Sequence, residues 1–454
     1  MAGGIFKIQN KKRPGAYINT VSDKPTADDN DRGVVLLMNG VKYGWGNNGV
    51  IELATNSDFQ SVLGVKNDDP SLLTIKEALK GATKLLLINS NQGNKASVSD
   101  NALPWTITAK YNGEKGNNIT IDLIQDAVDN SKVIIKTIFG FDVVDTQAIS
   151  MDQPDRVENN DFVDFSLIDA NKDKLKGFTG QRSVKLQGGT SQDKDSSTQM
   201  NLLGDAMQKQ RFNVVTTSGI DDKSNIHSLL VEMVKDLRDK QGYKITAVVP
   251  YSGTNYDYEA VSVVENGVIM EDETIITPTV AAAYFAGQSA SVPLNQSLTY
   301  QKYDGAKQSY PALSNEAIIR AIDNGHIVFT DRRDGSVGIE IDINNLVTFT
   351  DTKSYQFHKN RELRVLDEIA NNTEKVFETQ FIGKVTNNEA GRNILKGERI
   401  QYFTGLANNN IIDKFDTDDL KIAKGNSDDS ITMEYSITPL DSMEKLYNTI
   451  KVTR

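Results

Sequence analysis

Three histidines are the first residues to test for catalysis or metal binding, because imidazole is a common proton-transfer group and metal ligand. His227, His326 and His358 lie far apart in the sequence, and none has a His-Glu-x-x-His or similar spacing. The helical pattern places His227 on the polar side of a helix, and His326 directly precedes a strand. We therefore expect ordinary surface or capping roles for these two residues, and no metal site.

Two neighbouring aspartates follow a strand at the position where α/β folds often bind ligands. Asp221 and Asp222 lie in the loop 218–222, which follows the predicted strand at residues 212–217. Two carboxylates at such a place can hold a magnesium ion. The interpretation that we favour is that one of them caps the following helix and complements its dipole.

A second acidic group comprises Asp413, Asp416, Asp418 and Asp419. It resembles a calcium-binding loop only loosely, because the central glycine and the terminal glutamate of such loops are missing. The pattern favours a solvated loop.

Other signatures of catalysis or nucleotide binding do not occur in the sequence. There is no Gly-x-x-x-x-Gly-Lys-[Ser/Thr] motif, no Gly-x-Ser-x-Gly elbow and no Gly-x-Gly-x-x-Gly after a strand. The chain has no cysteine, which excludes disulfides, thiolate metal sites and thiol catalysis. The sequence therefore predicts neither an enzyme nor a cofactor.

Composition limits the partners of the chain. Its 50 Lys and Arg against 61 Asp and Glu give a net charge of -11, and no basic stripe alternates with aromatic residues, so we expect no direct contact with nucleic acid. No apolar run of about 18 residues occurs, and the N-terminus lacks the apolar core of a secretion signal. We expect a soluble product that starts in the cytoplasm and does not insert into membranes.

The elements that must carry any site follow an interrupted α/β pattern. Apolar strands at residues 34–38 and 84–89 flank a helix at 71–80, which is typical of a sheet buried on both faces. From about residue 95 to 190, short strands with frequent turn signals and little helical periodicity predict an inserted all-β module. The predicted fold class is mixed α+β: an α/β core with this module inserted and with extended strands at both termini.

The α/β pattern resumes after the module. We predict helices at 197–210 and 224–240 alternating with strands at 212–217 and 244–249, hence a parallel pair with a right-handed crossover. The second helix should present Ile226, Leu229, Leu230, Met233, Val234 and Leu237 on one face. Residues 261–270 are predicted to form a hairpin around Asn266-Gly267, and residues 327–341 another through Asp334-Gly335. Thr277 should cap a helix that begins at Pro278, and two further helices are expected at 360–383 and 387–406.

Both ends of the chain have strand-like patterns without an obvious local partner. Near the N-terminus this pattern covers Ala16, Tyr17, Ile18, Asn19, Thr20 and Val21, and a polar spacer follows. Near the C-terminus, a first stretch at 431–437 is followed by a second that contains Leu446, Tyr447, Asn448, Thr449, Ile450, Lys451 and Val452. Such ends can join the sheet edge of another molecule. The alternative is that both ends pair within the chain's own sheet, and pattern alone does not choose between them.

Several stretches, in order along nearly the whole chain, resemble the tail sheath proteins of contractile injection machines. The resemblance is to the sheaths of phages and phage-like particles of Gram-positive bacteria in particular. The stretches that carry it are Arg13-Pro14-Gly15-Ala16-Tyr17 and residues 105–119, 283–300, 323–329, 381–387 and 439–447.

This resemblance implies a structural protein. Sheath subunits form a six-fold helical tube around an inner tail tube, and a baseplate triggers the sheath to shorten and drive that tube through a cell envelope. The implied partners are further copies of the chain in stacked hexameric rings, a tail tube protein, and baseplate and tail terminator proteins. The implied location is the tail sheath of a virion assembled in the host bacterial cytoplasm, and the resemblance implies no cofactor.

The resemblance also suggests a role for the two ends. The strands at 16–21 and 446–452 would add to the sheets of neighbouring subunits. The expected organisation is an N-terminal arm (1–22), a first core part (23–94), the inserted outer module (95–190), a second core part (191–357), a helical part (358–425) and C-terminal strands with an arm (426–454). The helical part faces the inner tube or simply packs the core; both remain open.

Two other classes of function remain as alternatives. The first is a non-contractile particle or receptor-binding protein, and a genome-free bacteriocin-like particle is a variant of the sheath hypothesis. The second is a hydrolase, for which Asp221 and Asp222 are the acid-base pair to consider. Polymerisation into hollow striated tubes would separate a sheath from both.

Overall fold

The computed structural model describes residues 3–4, 16–17, 32–192 and 196–453 of the chain. The first 31 residues form a unit of their own. In it, β1 (Gly3–Gly4) pairs in parallel with β2 (Ala16–Tyr17). The remainder of the predicted N-terminal arm, residues 18–21, lies outside the described residues.

The core begins with an α/β segment that agrees with the sequence pattern. Its run of consecutive apolar residues forms strands that are buried on both faces. The elements are β3 (Val34–Leu37), β4 (Gly49–Leu53), α1 (Phe59–Leu63), α2 (Leu73–Leu79) and β5 (Lys84–Asn89).

A two-sheet β module follows, as the sequence predicts. Its strands alternate inward apolar and outward polar residues, as in Trp105, Ile107 and Ala109, which are fully buried. The sheets have the orders β10-β9-β8-β12 and β11-β7-β6-β13, with antiparallel neighbours. Their strands are β6 (Gly93–Ser99), β7 (Trp105–Asn112), β8 (Ile119–Gln125), β9 (Lys132–Phe139), β10 (Asp142–Ser150), β11 (Val163–Leu167), β12 (Gln181–Lys185) and β13 (Thr190–Ser191).

Trp45, from the loop between β3 and β4, joins the core to this module. Its ring is fully buried among aromatic residues of the module, with centroids 5.2 Å from Tyr111, 5.4 Å from Phe139 and 6.1 Å from Phe162. Its Nε1 donates to the carbonyl oxygen of Ser61, which belongs to the core, at 2.7 Å. A side chain of the core therefore forms part of the module's hydrophobic interior.

The α/β pattern then resumes. Its fifth helix from the start of the core lies so close to α2 that a side chain at Gly287 would not fit: a Cβ atom there would lie 2.1 Å from the carbonyl oxygen of Ala78. The elements are α3 (Ser196–Lys209), β14 (Val214–Thr216), α4 (Ile226–Lys240), β15 (Thr246–Pro250), β16 (Val261–Val264), β17 (Gly267–Met270), β18 (Ile275–Ile276), α5 (Pro278–Ser291), β19 (Ala306–Tyr310), α6 (Asn315–Asp323), β20 (His326–Ile327), β21 (Phe329–Asp331) and β22 (Val337–Ile339).

The central sheet has seven strands in the order β20-β16-β15-β14-β3-β5-β4. All neighbours are parallel except β4, which runs antiparallel to β5. Val35 and Leu37 face one hydrophobic cluster, which includes α2 and α5, and Leu36 faces the other, which includes α3 and α4. The predicted α/β core with an inserted all-β module is confirmed.

Two details of the prediction for this part of the α/β core are wrong. The strands on either side of Asn266 do not form a hairpin, because β16 continues the parallel central sheet while β17 pairs with β18 and β19. On α4, Leu229 is half-exposed rather than part of the buried face. The hairpin of β21 and β22 is confirmed.

The last part of the chain contains the two predicted helices, although the first is shorter than expected. Val365 and Ile369 of the first pack against Phe403 and Leu406 of the second. The elements are α7 (Asn360–Val376), which continues as a π-helical turn (Phe377–Phe381), α8 (Glu389–Asn408), β23 (Lys421–Lys424) and β24 (Ile431–Glu434). Within the described residues, no helix has the length and apolar character needed to cross a membrane.

Candidate functional site

His227 is buried, and its hydrogen bonds have a structural role. Its Nε2 donates to the carbonyl oxygen of Asp221 at 2.9 Å, and its Nδ1 accepts from Thr217 Oγ1 at 2.7 Å. Burial lowers the pKa of the His227 imidazole, which favours the neutral ring. The prediction that His227 lies on a polar helix face is therefore wrong; the ring joins the loop after β14 to α4.

The other two histidines are also buried, each with a partner of its own. His326 Nδ1 lies 2.7 Å from Glu265 Oε2, so the predicted surface role is wrong. His358 Nδ1 lies 2.7 Å from the carbonyl oxygen of Leu346, and burial lowers the pKa of His358. The structure does not bring the three histidines together.

The aspartates that follow β14 do not cap helix α4. The residue at the cap position is Asn225, while the Asp221 carboxylate accepts from the backbone N–H of Lys223 at 2.9 Å and so closes a turn. The acidic residues from Asp413 to Asp419 are exposed. Among the described residues, no three His, Cys, Asp or Glu side chains are grouped as a metal ion would require.

The C-terminal segment, residues 435–453, ends in a stretch with several exposed apolar side chains. Its first part is held by the body: Asp413 N–H donates to the Thr438 carbonyl oxygen at 2.8 Å, and Leu440 N–H donates to the Ile411 carbonyl oxygen at 3.1 Å. These bonds keep the chain beside the end of α8 up to Leu440.

An ion-pair cluster then holds the next residues. The Nζ of Lys359, just before α7, donates to Glu444 Oε2 and lies 3.3 Å from Asp441 Oδ2. Glu444 Oε1 accepts from Thr299 Oγ1 at 2.7 Å and from Ser442 Oγ at 3.1 Å. We call Lys359, Asp441, Glu444 and Thr299 the tail anchor.

Both central groups of the tail anchor are charged and largely buried. Burial alone would lower the pKa of Lys359, but the hydrogen bond and charge of Glu444 outweigh it and raise that pKa. Burial alone would raise the pKa of Glu444, but the hydrogen bonds from Lys359 and Thr299 outweigh it and lower that pKa. The pair therefore stays ionised near neutral pH.

Beyond Glu444 the segment is exposed. Leu446, Tyr447, Ile450 and Val452 are 89%, 91%, 80% and 89% exposed, and residues 445–453 form neither helix nor strand with the rest of the described chain. In an extended conformation, Leu446, Ile450 and Val452 would lie on one face and Tyr447 on the other. Several exposed apolar residues within one short stretch are typical of an interaction site.

The hairpin of β23 and β24 is a sheet of two strands. The register pairs Lys421 with Glu434 and Lys424 with Ile431, so the expectation that residues 431–437 lack a local partner is wrong. Within the described part of the chain, neither strand has a second neighbour, and both edges are therefore open. Two-stranded sheets are marginally stable alone.

Next to this hairpin lies a partly apolar groove with a volume of about 560 Å³. Phe381, Val385 and Leu395 supply apolar walls, Ile431 belongs to β24, and Asp428 lies in the turn of the hairpin. An open sheet edge beside a groove can accept both the backbone and the side chains of an added strand.

Sequence reasoning found the exposed segment but missed its anchor. Lys359 and Glu444 are 85 residues apart, and no motif connects them. The sequence around Glu444 does not indicate a partner, because only the fold brings Glu444 next to Lys359.

Comparison with known proteins agrees with the fold. The beta-sandwich domain of phage tail sheath proteins matches residues 89–195, their central domain 194–345 and their C-terminal domain 352–453. The chain belongs to the phage tail sheath protein family. It is a sheath subunit, with the β module as the family's beta-sandwich domain.

Relatives over the full length support this assignment. The phage-like element PBSX protein XkdK of Bacillus subtilis is 31% identical over 478 aligned positions and covers 100% of both chains. The sheath tail protein of Desulfitobacterium hafniense is 34% identical with a TM-score of 0.74, covering 95% of this chain and 98% of that one. The helical sheath of the anti-feeding prophage in its contracted state, at 8% identity and a TM-score of 0.57 over 97% and 99% of the chains, shares the fold.

Proposed function

We propose that this sheath subunit polymerises as a six-fold helical tube around an inner tail tube, and that the tube contracts without nucleotide hydrolysis to drive the inner tube through a cell envelope. The observation that carries the proposal is the combination of an exposed C-terminal segment with an open-edged hairpin in the same chain. Residues 446–452 of one copy would add as a strand to the hairpin of β23 and β24 in a neighbour.

Backbone hydrogen bonds suit a joint that must survive a change of packing. Each contributes only about 0.5–1.5 kcal/mol net, but several in each strand, repeated at every subunit, hold a lattice together. They depend little on the side chains around them, so the bodies of the subunits can rotate while the added strands stay paired. Apolar residues at alternate positions of the donor, such as Leu446 and Ile450, would cover the groove beside the hairpin.

The N-terminal arm would make the second connection. We propose that Ala16, Tyr17, Ile18, Asn19, Thr20 and Val21 also add to a neighbour's sheet, as the strand-like pattern of these residues suggests. A subunit joined at both ends to adjacent copies belongs to a net rather than to a stack of separate rings. Removal of residues 1–21 would then leave a folded subunit that makes no long tubes.

The energy for contraction would come from packing. In the proposed mechanism, the extended tube is kinetically trapped, and contraction buries additional complementary surface between the α/β bodies, worth roughly 25 cal/mol per Å² of apolar area. The fold shared with the contracted anti-feeding prophage sheath is compatible with such a packed end state.

The remaining assignments follow from the same proposal. The subunit would belong to the tail sheath of a particle assembled in the bacterial cytoplasm, with a tail tube protein inside and baseplate and tail terminator proteins at the ends. Residues 1–22 and 426–454 would serve as arm and strand regions, 23–94, 191–357 and 358–425 as the core, and 95–190 as the outer module.

A pair of substitutions tests the strand addition. Ile450→Asp places a charge on the apolar face of the donor strand, whereas Thr449→Asp places the same charge at the adjacent position on the other face. We expect tubes in negative-stain microscopy from Thr449→Asp and mostly unassembled subunits from Ile450→Asp, as from a chain truncated after Lys445.

Circular dichroism of the unassembled fractions serves as the control, because both positions are exposed and the fold should not change. Normal tubes from the truncated chain would refute strand donation by the C-terminus. Equal assembly of the two Asp variants would refute the proposed strand geometry.

A further inference from the structure

The C-terminal segment leaves the body at a defined residue. Up to Leu440 it is held by backbone hydrogen bonds to residues 411–413, and from Asp441 to Glu444 by the tail anchor. From Lys445 onward every described residue is exposed. Glu444 is thus the last residue that the body holds.

The tail anchor is connected to the interior of the core. Thr299 Oγ1, which donates to Glu444, also accepts from the backbone N–H of Asp342 at 3.0 Å. The Asp342 carboxylate is fully buried and binds Arg364 of α7 at 2.8 Å. A continuous polar network therefore runs from the first turns of α7 to the base of the segment.

Glu444 is suited to be the rigid end of this network. The Glu444 side chain is 12% exposed and the Lys359 side chain 3% exposed, so water competes little for either charge. By contrast, Asp441 is 33% exposed and more distant from Lys359, which makes it the weaker of the two carboxylate contacts.

We infer that Glu444 is a positioning residue: through Lys359 and Thr299 it fixes the point at which the C-terminal segment leaves the body, and so the neighbour that the segment reaches. The choice of neighbour rests on the proposed strand addition. Whether Glu444 fixes the segment to the body can be measured in the unassembled subunit.

Chain length shows what the anchor would control. With Glu444 held, the eight residues 445–452, which end with the proposed donor strand, span at most roughly 26 Å at about 3.3 Å each. Without the whole tail anchor, the last hold is Leu440, and the 12 residues 441–452 span roughly 40 Å. The longer segment could reach hairpins in more than one register.

Trypsin offers a test with an internal reference. Lys445 adjoins the held residue, and Lys451 lies in the free segment, so cleavage after Lys451 should be much faster in the unassembled protein. In Glu444→Gln, which keeps the shape but removes the charge, we expect the ratio of cleavage after Lys445 to cleavage after Lys451 to rise roughly tenfold. The control is Glu434→Gln, an exposed glutamate on β24, which should leave the ratio unchanged.

A spin label provides a second readout. Met443 lies within the anchored stretch, its side chain is fully exposed, and the chain has no cysteine, so Met443→Cys can carry a single nitroxide. The label should be motionally restricted in the otherwise unchanged chain and mobile when Glu444→Gln is added, with the same urea midpoint for both. An unchanged cleavage ratio and an unchanged spectrum would overturn the inference.

Assembly separates this inference from the proposed function. We expect Glu444→Gln to give fewer tubes with irregular spacing; regular tubes together with a raised cleavage ratio would refute the positioning role. Normal tubes from the chain truncated after Lys445 would instead refute strand addition, and the cleavage ratio would still decide whether Glu444 holds the segment.

Discussion

Glu362, in the first turn of α7, is a carboxylate buried next to the tail anchor. Glu362 is only 6% exposed. Burial, followed by the negative charge of Asp441, raises the pKa of Glu362 to about 7, although Lys359 and Arg361 act in the opposite direction. Near neutral pH this residue therefore exchanges a proton, whereas Glu444 of the tail anchor stays ionised.

The raised pKa of Glu362 makes the free energy of unfolding depend on pH. Below about pH 4.5 the Glu362 carboxyl is protonated in both folded and unfolded chains; between pH 4.5 and about 7 only the unfolded chain loses the proton. The folded state thus loses stability as pH rises through this interval, and the full penalty is present above pH 7.

Glu362→Gln should remove that penalty. We expect the free energy of unfolding of the variant to exceed that of the unchanged chain by roughly 1–2 kcal/mol at pH 8 and by almost nothing at pH 4.5. Urea denaturation at several pH values measures the difference. Glu389→Gln, an exposed glutamate in the first turn of α8, is the control; a pH-independent difference for Glu362→Gln would contradict the assigned pKa.

Individual polar residues were the least predictable from sequence. A histidine on a helix, such as His227, has the same pattern whether it faces water or a buried carbonyl, because its partners in the loop after β14 are set by the fold. The same holds for Lys359, whose partner lies 85 residues away. The strand-like pattern of residues 446–452 could be predicted, because it depends only on the order of apolar and polar residues within that stretch. The structure shows that its apolar side chains are exposed.

At the scale of elements, the junction between the core and the β module has one central side chain. Trp45 comes from the core but packs in the module's interior. Lys115 of the module adds a hydrogen bond at 2.9 Å to the carbonyl oxygen of Gly64 in the core. The two parts should therefore unfold together.

Trp45→Ala should separate them. Replacement of a buried tryptophan by alanine lowers the free energy of unfolding by about 3–5 kcal/mol. Here the lost contacts are those that join the core to the module. We expect the fluorescence of Trp105, then the single tryptophan of the chain, to change at lower urea than the far-ultraviolet circular dichroism of the core.

Leu123→Ala is the matched control, because Leu123 is fully buried within the module and leaves Trp45 in place. That variant should show one transition at a lower urea concentration for both signals. A single coincident transition in Trp45→Ala would show that Trp45 does not couple the two parts.

Most elements were predictable because their patterns are strong. Continuous apolar runs such as residues 34–37 and 84–89 require a sheet covered on both faces, and the structure has one. The predicted hairpin at Asn266 failed for a physical reason: the Asn266 side chain is buried and accepts from Phe329 N–H at 2.8 Å, so it serves as a link between strands instead of a turn. Asn-Gly between apolar runs does not reveal that the runs belong to different sheets.

For the molecule as a whole, the proposal makes contraction independent of nucleotide. No energy source other than packing enters it, so assembled tubes that shorten on mild denaturant should do so to the same extent with and without Mg-ATP. Tube lengths measured by negative-stain microscopy before and after treatment, with a nucleotide-depleting enzyme as control, provide the test. Shortening that needs ATP would contradict the proposed mechanism.

The open hairpin and the exposed segment lie in the same chain but are different surfaces. If each copy donates one and offers the other, any finite stack carries unfilled hairpins in its terminal ring on one side and unplaced segments in its terminal ring on the other. A growing column would thus have directional polarity, and two chemically distinct capping proteins would be needed to finish it.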